Sequence, residues 1–250
     1  MITRQAKLNR SEILSSAVAL VDERGVEALS MRGLAAELGV EAMSIYNHVP
    51  SKDALLDGIV ETVLDEVHAP AGLGTWQETL RELALGYRAA ALSHPRVMLL
   101  FSSRTVAAPA WRRAVEDTFA ALQRAGFTAD DAVSAYRLFW GFVVGYMQSQ
   151  LRNAESPGLD AYLAALPTED FPATHAHARA LAEADREAEF RRGVELVLDA
   201  LEGDRTAAAD AEDDLARRVE RLALQARDVA VELGAVRKEL AIAIAQRSER

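Results

Sequence analysis

Between Ser30 and Lys52 the chain gathers side chains that can hold a polyanion and touch the edge of a base: Arg32, Ser44, Tyr46, Asn47, His48 and Lys52. Guanidinium and ammonium groups neutralise phosphate oxygens, while hydroxyl, amide and imidazole groups hydrogen-bond to phosphates or base edges. Ala42 and Met43 lie in the same stretch. They can touch a thymine methyl but offer no bidentate hydrogen bond. Blander readings stand beside these, with Tyr46 as a helix-packing aromatic and His48 as a solvated or capping imidazole. No comparable set of residues points to catalysis. The chain has no G-x-S-x-G, no glycine-rich phosphate loop, no H-E-x-x-H and no cysteine. His175 and His177 are two apart, so on a helix they face different sides, and in a loop they lack an evident carboxylate partner. Acidic residues such as Glu183, Asp185, Glu187 and Glu189 read as solvated helix faces. The expectation is a binding protein with no catalytic residues, no metal and no cofactor.

The use of these side chains depends on the elements that present them. Ser30 to Gly39 and about Ala42 to His48 read as two short helices separated by Gly39-Val40-Glu41. A glycine there lets the chain reverse through a left-handed conformation without a Cβ clash. That arrangement is helix-turn-helix grammar, in which the second helix enters the major groove and is anchored from behind by apolar residues. Ile45 and Val49 would be the anchors. Ahead of the pair, Ile13, Ala17, Leu20 and Val21 outline a first helix, with Asn9 and Glu12 spaced as a capping box and Gly25 as its stop. Behind it, Pro50 and Ser51 break and re-cap the chain, and Lys52 to about Val67 forms a fourth helix through Leu55, Leu56, Ile59, Val63 and Leu64.

The rest of the chain follows the same 3.6-residue apolar period, with few alternating β-branched runs, so the fold class is all-α. Helices are expected at about 75–93, 96–106, 109–125, 128–153, 176–187 and 187–203. Residues 155–174, with Pro157, Gly158, Pro167 and Pro172, form a long connection containing one short helix. Pro70 to Gly74 is the clearest composition break of the first half. After Gly203-Asp204-Arg205, an unbroken 4-3-4-3 spacing runs from Leu215 through Val219, Leu222, Ala226, Val229, Leu233, Val236 and Leu240 to Ala243. Such a heptad seam suits a coiled coil with another chain, or a single amphipathic helix lying on its own domain. Three divisions follow, at 1–70, 71–204 and 205–250.

Composition narrows the function classes. Of 250 residues, 50% are hydrophobic and 26% charged, an ordinary globular balance. The net charge of −10 argues against a protein that coats nucleic acid non-specifically. Residues 1–70 hold 6 basic and 11 acidic groups, so any DNA contact rests on placement rather than bulk charge. Arg4, Lys7 and Arg10 form either a contacting arm or a solvated tail. The absence of cysteine excludes disulfide scaffolds and thiolate zinc sites. No apolar run approaches a membrane span, and no export signal opens the chain, so a cytoplasmic location is expected.

The stretch from Gly25 to Val40 (GVEALSMRGLAAELGV), continued by Ser44-Ile45-Tyr46-Asn47-His48-Val49 and Lys52-Asp53-Ala54-Leu55-Leu56, resembles the tetracycline-repressor (TetR) family of bacterial transcription regulators. The resemblance covers about 55 residues. It implies a homodimer that binds double-stranded operator DNA through an N-terminal three-helix head and a small-molecule effector through a C-terminal helical domain. Most such proteins are repressors. Carried over by position, Arg32 contacts a phosphate or a base, Ser44 and Tyr46 contact the groove and phosphates, His48 contacts the backbone, and Lys52 clamps a phosphate. Ala42 and Met43 stand where relatives often read bases, which leaves sequence discrimination to Arg32, Asn47 and DNA shape. The rival reading is a helical protein-interaction module acting through the heptad tail.

Residues 75–204 are similar to the same family's C-terminal domain, from Thr75-Trp76-Gln77 and Leu92-Ser93-His94 to Gly126-Phe127 and Phe142-Val143-Val144-Gly145. The resemblance implies a pocket lined by His68, Tyr87, Met98, Phe101, Trp111, Phe139, Phe142 and Met147, with Gln148 or Gln150 as polar anchors. Leu100 or Phe101 falls where tetracycline-binding members place a metal-bound histidine, and Ser149 where they place a glutamate. A mainly apolar or aromatic effector is therefore expected, rather than magnesium–tetracycline. The helices at about 128–153 and 187–203 would pair with their copies in a four-helix bundle, using Ala135, Leu138, Phe142, Val194, Leu196, Val197, Leu198 and Leu201.

Overall fold

Capping residues set the first helices where the spacing predicts them. In the computed structural model, which describes residues 8–70, 74–103, 111–155, 162–163 and 165–207, α1 spans Arg10–Arg24. The Asn9 side chain accepts from the Glu12 N–H at 2.9 Å, and the Glu12 carboxylate accepts from the Asn9 N–H at 3.2 Å. Two of the orphan donors of the first turn are thereby satisfied. A single 3₁₀ turn at Val26–Ala28 leads to α2, Met31–Glu37, where the Ser30 hydroxyl accepts from the Gly33 N–H at 3.0 Å. Gly39 then turns the chain with φ 66°, a value that side chains with a Cβ rarely adopt. Next come α3, Ala42–Tyr46, and α4, Lys52–Leu64, the latter capped by the Ser51 hydroxyl at 3.1 Å from the Ala54 N–H.

Both α3 and α4 are shorter than the apolar pattern suggests. The His48 N–H donates to the Ile45 carbonyl and the Val67 N–H to the Leu64 carbonyl, so the final turns tighten to three-residue spacing. The apolar core of this part is complete all the same. Ile13, Leu34, Ile45, Val49, Leu55 and Ile59 are each at most 1% exposed. Burying a side chain of that size stabilises by roughly 1.5–3 kcal/mol.

The helices that follow are α5 (Trp76–Ser93), α6 (Pro95–Ser103), α7 (Trp111–Arg124), α8 (Ala129–Glu155), α9 (Pro172–Ala182) and a last one, α10, over 186–207. Among the described residues there is no strand. α5 is opened by a second reciprocal box between Thr75 and Glu78. α9 begins at Pro172, four residues before the expected 176, because a proline at the first helical position lacks only a donor that has no intrahelical partner anyway. α10 starts where the Asp185 side chain accepts from the N–H groups of Glu187 and Ala188 at 3.0 and 3.1 Å.

α5 packs on α7 and α8, and α6 touches α1, α4, α5 and α8. The described residues up to Asp199 form one compact unit. From Ala200 the chain belongs to a second, whose described part is helical through Ala207 and carries an Arg205–Glu202 pair at 2.5 Å. Arg4, Lys7 and the heptad from Leu215 to Ala243 lie outside the described residues. Among the described residues, no helix is long and apolar enough to cross a membrane.

Candidate functional site

Two groups of side chains stand out, an exposed surface on α3 and an aromatic cluster between α5 and α8. On α3, Ile45 is 0% exposed and Val49, just beyond the helix, 1%. They fix the element from behind. Met43 is 67% exposed and Tyr46 42%. Among the described residues of the head these are the large hydrophobic side chains left in solvent, and three-residue spacing puts both on one helix face. Asn47 and His48 continue the exposed run, and Ala42 and Ser44 are half-buried beside it.

Arg32, in the first turn of α2, and Lys52, the first residue of α4, are also exposed. Neither forms an ion pair with the described residues, so both cations are available to an external anion. Lys52 stands at a helix N-terminus, where unpaired N–H groups add positive potential. All eight residues singled out for DNA thus lie on α2, α3, the first residue of α4, or the turn between α3 and α4.

The aromatic cluster is built from α5, α6, α7 and α8. Tyr87 meets Trp111 and Trp140 with ring centroids 6.0 and 5.9 Å apart, and Trp111 meets Trp140 at 4.4 Å. Phe101 lies 5.7 Å from Trp111, and Phe139 lies 5.0 Å from Trp140. Most of these pairs meet edge to face, the geometry favoured by the ring quadrupoles. Burial pushes the Tyr87 phenol far above its ordinary pKa, so it stays neutral. Met98 and Met147 are also buried, at 1% and 0%. Trp140, which ties Tyr87, Trp111 and Phe139 together, is absent from the residues expected to line the pocket. Its signal is in the sequence, because Tyr136, Phe139, Trp140, Val143 and Met147 follow the helical 3-4 spacing.

Two of the expected lining residues, His68 and Phe142, stand apart from that cluster. His68 is exposed beyond the end of α4. Phe142 stacks on Phe190 of α10 at 6.0 Å and lies 5.7 Å from Tyr146, so its ring is occupied in joining α8 to α10. Gln148 is half-buried on α8. Gln150 carries a buried Oε1 with no hydrogen-bond partner, an acceptor that disfavours its present surroundings and would favour a donor. Across the same domain, Arg81 of α5 donates two hydrogen bonds, of 2.6 and 2.8 Å, to the Glu195 carboxylate of α10. Leu138 of α8 and Leu196 of α10 are 58% and 59% exposed, whereas Ala135, Val194 and Leu198 are buried within the chain's own fold.

Among the described residues, no group of three metal-ligating side chains occurs. His175 and His177 are both exposed on α9, and the Nδ1 of His177 lies 2.8 Å from the Ala173 carbonyl.

Two family descriptions match this chain. "Bacterial regulatory proteins, tetR family" covers residues 13–59, and "Tetracyclin repressor-like, C-terminal domain" covers residues 69–204. The HTH-type transcriptional repressor DrrR1 of Streptomyces coeruleorubidus is 34% identical over 151 residues, which are 60% of this chain and 56% of that repressor's length. The class C tetracycline repressor protein of Escherichia coli is 31% identical over 213 residues, 82% of this chain and 96% of that protein. Among solved structures, ActR of Streptomyces coelicolor in complex with actinorhodin superposes with a TM-score of 0.66 at 30% identity. That match covers 80% of this chain and 99% of ActR.

Proposed function

The chain belongs to the TetR family of ligand-responsive transcriptional regulators, and from that premise we propose that it is a repressor that binds a palindromic operator as a homodimer. The observation that carries this reading is the surface of α3, where buried Ile45 and Val49 present exposed Met43 and Tyr46. Arg32, Ala42, Met43, Ser44, Tyr46, Asn47, His48 and Lys52 are its DNA-contacting residues. The head occupies residues 1–70, the ligand and dimerisation domain 71–204, and the heptad tail 205–250. A DNA-binding regulator of this kind works in the cytoplasm, where its operator is.

Exposed Leu138 and Leu196, with exposed Gly141 and Gly145 beside Leu138 on α8, support a dimer face made of α8 and α10. A two-fold dimer sets its reading helices one turn of DNA or a multiple apart. The effector is a small, largely apolar or aromatic molecule held against Tyr87, Met98, Phe101, Trp111, Phe139 and Met147, with Trp140 added to that set. The Gln150 amide supplies a polar anchor. Effector entry displaces α6 and through it α4, whose first residue is Lys52, and so changes the separation of the two heads. This coupling requires the effector to prefer one of the two arrangements.

The test is a binding selection from random-sequence duplexes with the full chain, read together with its mass in solution. An enriched inverted repeat bound by two chains is expected. A monomer that enriches no inverted repeat over random competitor would overturn the reading.

A further inference from the structure

The reading head meets the aromatic half of the molecule through α6 and through α7, where Arg113 pairs with Asp65 at 3.8 Å and the Ala69 N–H donates to Asp117 at 3.4 Å; the polar contacts of α6 with α1 converge on one residue, Asp22. His94, between α5 and α6, has its Nδ1 2.6 Å from the Oδ2 of Asp22. Two residues on, the Arg96 guanidinium donates to the Asp22 carbonyl oxygen at 2.9 Å. The other ring nitrogen of His94 faces Glu66, just past α4, at 3.9 Å. Both side chains of the close pair are 23% exposed, whereas the partners in the head's own Arg24–Glu37 pair are 53% and 43% exposed. Asp22 is held on one side only, because its Oδ1 is buried with no hydrogen-bond partner.

At the other end of the same nine-residue helix, Phe101 lies against Trp111, and Met98 of that helix is buried. One short rigid rod thus touches the aromatic cluster at its C-terminal end and α1 at its N-terminal end. Apolar packing, such as that between α6 and α4, tolerates sliding. Two short directional hydrogen bonds to one residue do not.

We infer that Asp22, with His94 and Arg96, forms a positioning latch that makes α1 follow α6, so that the head is set by a polar link in addition to its packing against α4. An effector that moves α6 then moves the head through α1, or must break the latch to leave it behind. The geometry of the latch stands alone, but its regulatory consequence rests on the proposed function.

The chain has no cysteine of its own, so two can be introduced for spin labels. Exposed Ala36 of α2 and exposed Gln123 of α7 are suitable sites, one on each side of the junction. Full-length Ala36→Cys/Gln123→Cys protein, labelled and co-assembled with excess unlabelled chain, reports the distance within one protomer. With the latch intact, one narrow distance distribution is expected. Asp22→Ala and, separately, Arg96→Ala should broaden it by about twofold while the cooperative thermal melt persists, and Asp22→Asn, which still accepts from Nδ1, should restore it. Operator affinity of the two broadened variants should fall by about fivefold, as expected when a preset head spacing is lost. An unchanged distribution in Asp22→Ala and Arg96→Ala overturns the latch. A broadened distribution in a protein whose latch-intact form binds no inverted repeat leaves the latch standing and removes the regulator reading instead.

Discussion

The indole N–H of Trp140 donates to the hydroxyl oxygen of Thr118 at 3.2 Å, and the Thr118 hydroxyl in turn donates to the Ala114 carbonyl at 2.6 Å. Trp140 is 4% exposed and Thr118 is 0% exposed, so neither group has water as an alternative. This chain of two bonds fixes the ring around which Tyr87, Trp111 and Phe139 are arranged. Replacing Thr118 with valine keeps the volume and strands the indole donor, which should cost about 1–3 kcal/mol. Urea unfolding measures the loss. Adding Trp140→Phe should recover part of the hydrogen-bond deficit, and a fully additive double variant would show that the two residues do not act together.

Met43 leads to a prediction about the operator rather than the protein. An exposed thioether beside Tyr46 can contact a thymine methyl but cannot pair with a base edge. Replacing the contacted thymine with deoxyuridine removes one methyl group, worth about 0.8 kcal/mol or roughly fourfold in affinity. Mobility-shift titrations on singly substituted operators should find one such position per half-site, and Met43→Ala should abolish the difference there. A uniform response to deoxyuridine at every thymine would exclude Met43 as the reader.

Lys52 should behave in the opposite way. As a phosphate contact it carries no sequence information, so Lys52→Ala should weaken binding to operator and random duplex alike. The slope of log affinity against log salt should flatten by about one per head, since each neutralised phosphate contributes about 0.9. Unchanged affinity and slope would remove Lys52 from the interface.

The sequence makes the head legible because each of its signals is local. Asn9 and Glu12, Ser30, Gly39 and Ser51 act within four residues of themselves, and the structure uses each as a cap or a turn. The aromatic cluster depends on which of several aromatic stripes face one another, and helical spacing does not encode that. Trp140 and Phe142 illustrate the difference, since they are two positions apart on α8 and so face different partners. One joins the cluster with Tyr87 and the other packs on Phe190. The Asp22–His94 contact, 72 positions apart in sequence, has no local signature at all. Proline misled at Pro172, where it starts a helix rather than breaking the chain.

Gly193 of α10 lies against the Phe142 ring of α8. A Cβ built there would overlap the Phe142 ring, so a larger residue fits only if that ring shifts. Gly193→Ala should destabilise by about 1–3 kcal/mol through overpacking, even though alanine is the better helix former. Gly193→Ala/Phe142→Leu, which vacates the space, should be more stable than Gly193→Ala alone. Chemical unfolding of the three variants decides this, and equal stability of the single and double variants would place the strain elsewhere.

The Arg81–Glu195 pair gives a pH dependence whose sign is set. The hydrogen bonds from Arg81 hold the Glu195 carboxyl below its ordinary pKa. A carboxylate depressed in the folded state adds stability at pH above its unfolded value, and that stability is lost as pH falls through the folded one. Because the side chains are 36% and 47% exposed, solvent screening limits the contribution to below about 1 kcal/mol. Glu195→Gln should therefore be slightly less stable than the parent chain near about pH 7. The gap should close as pH drops below the ordinary carboxylate range, where both chains carry a neutral group at this position. Urea midpoints measured across that range provide the check, and a gap that persists or widens in acid would mean that Arg81 is not what lowers the Glu195 pKa.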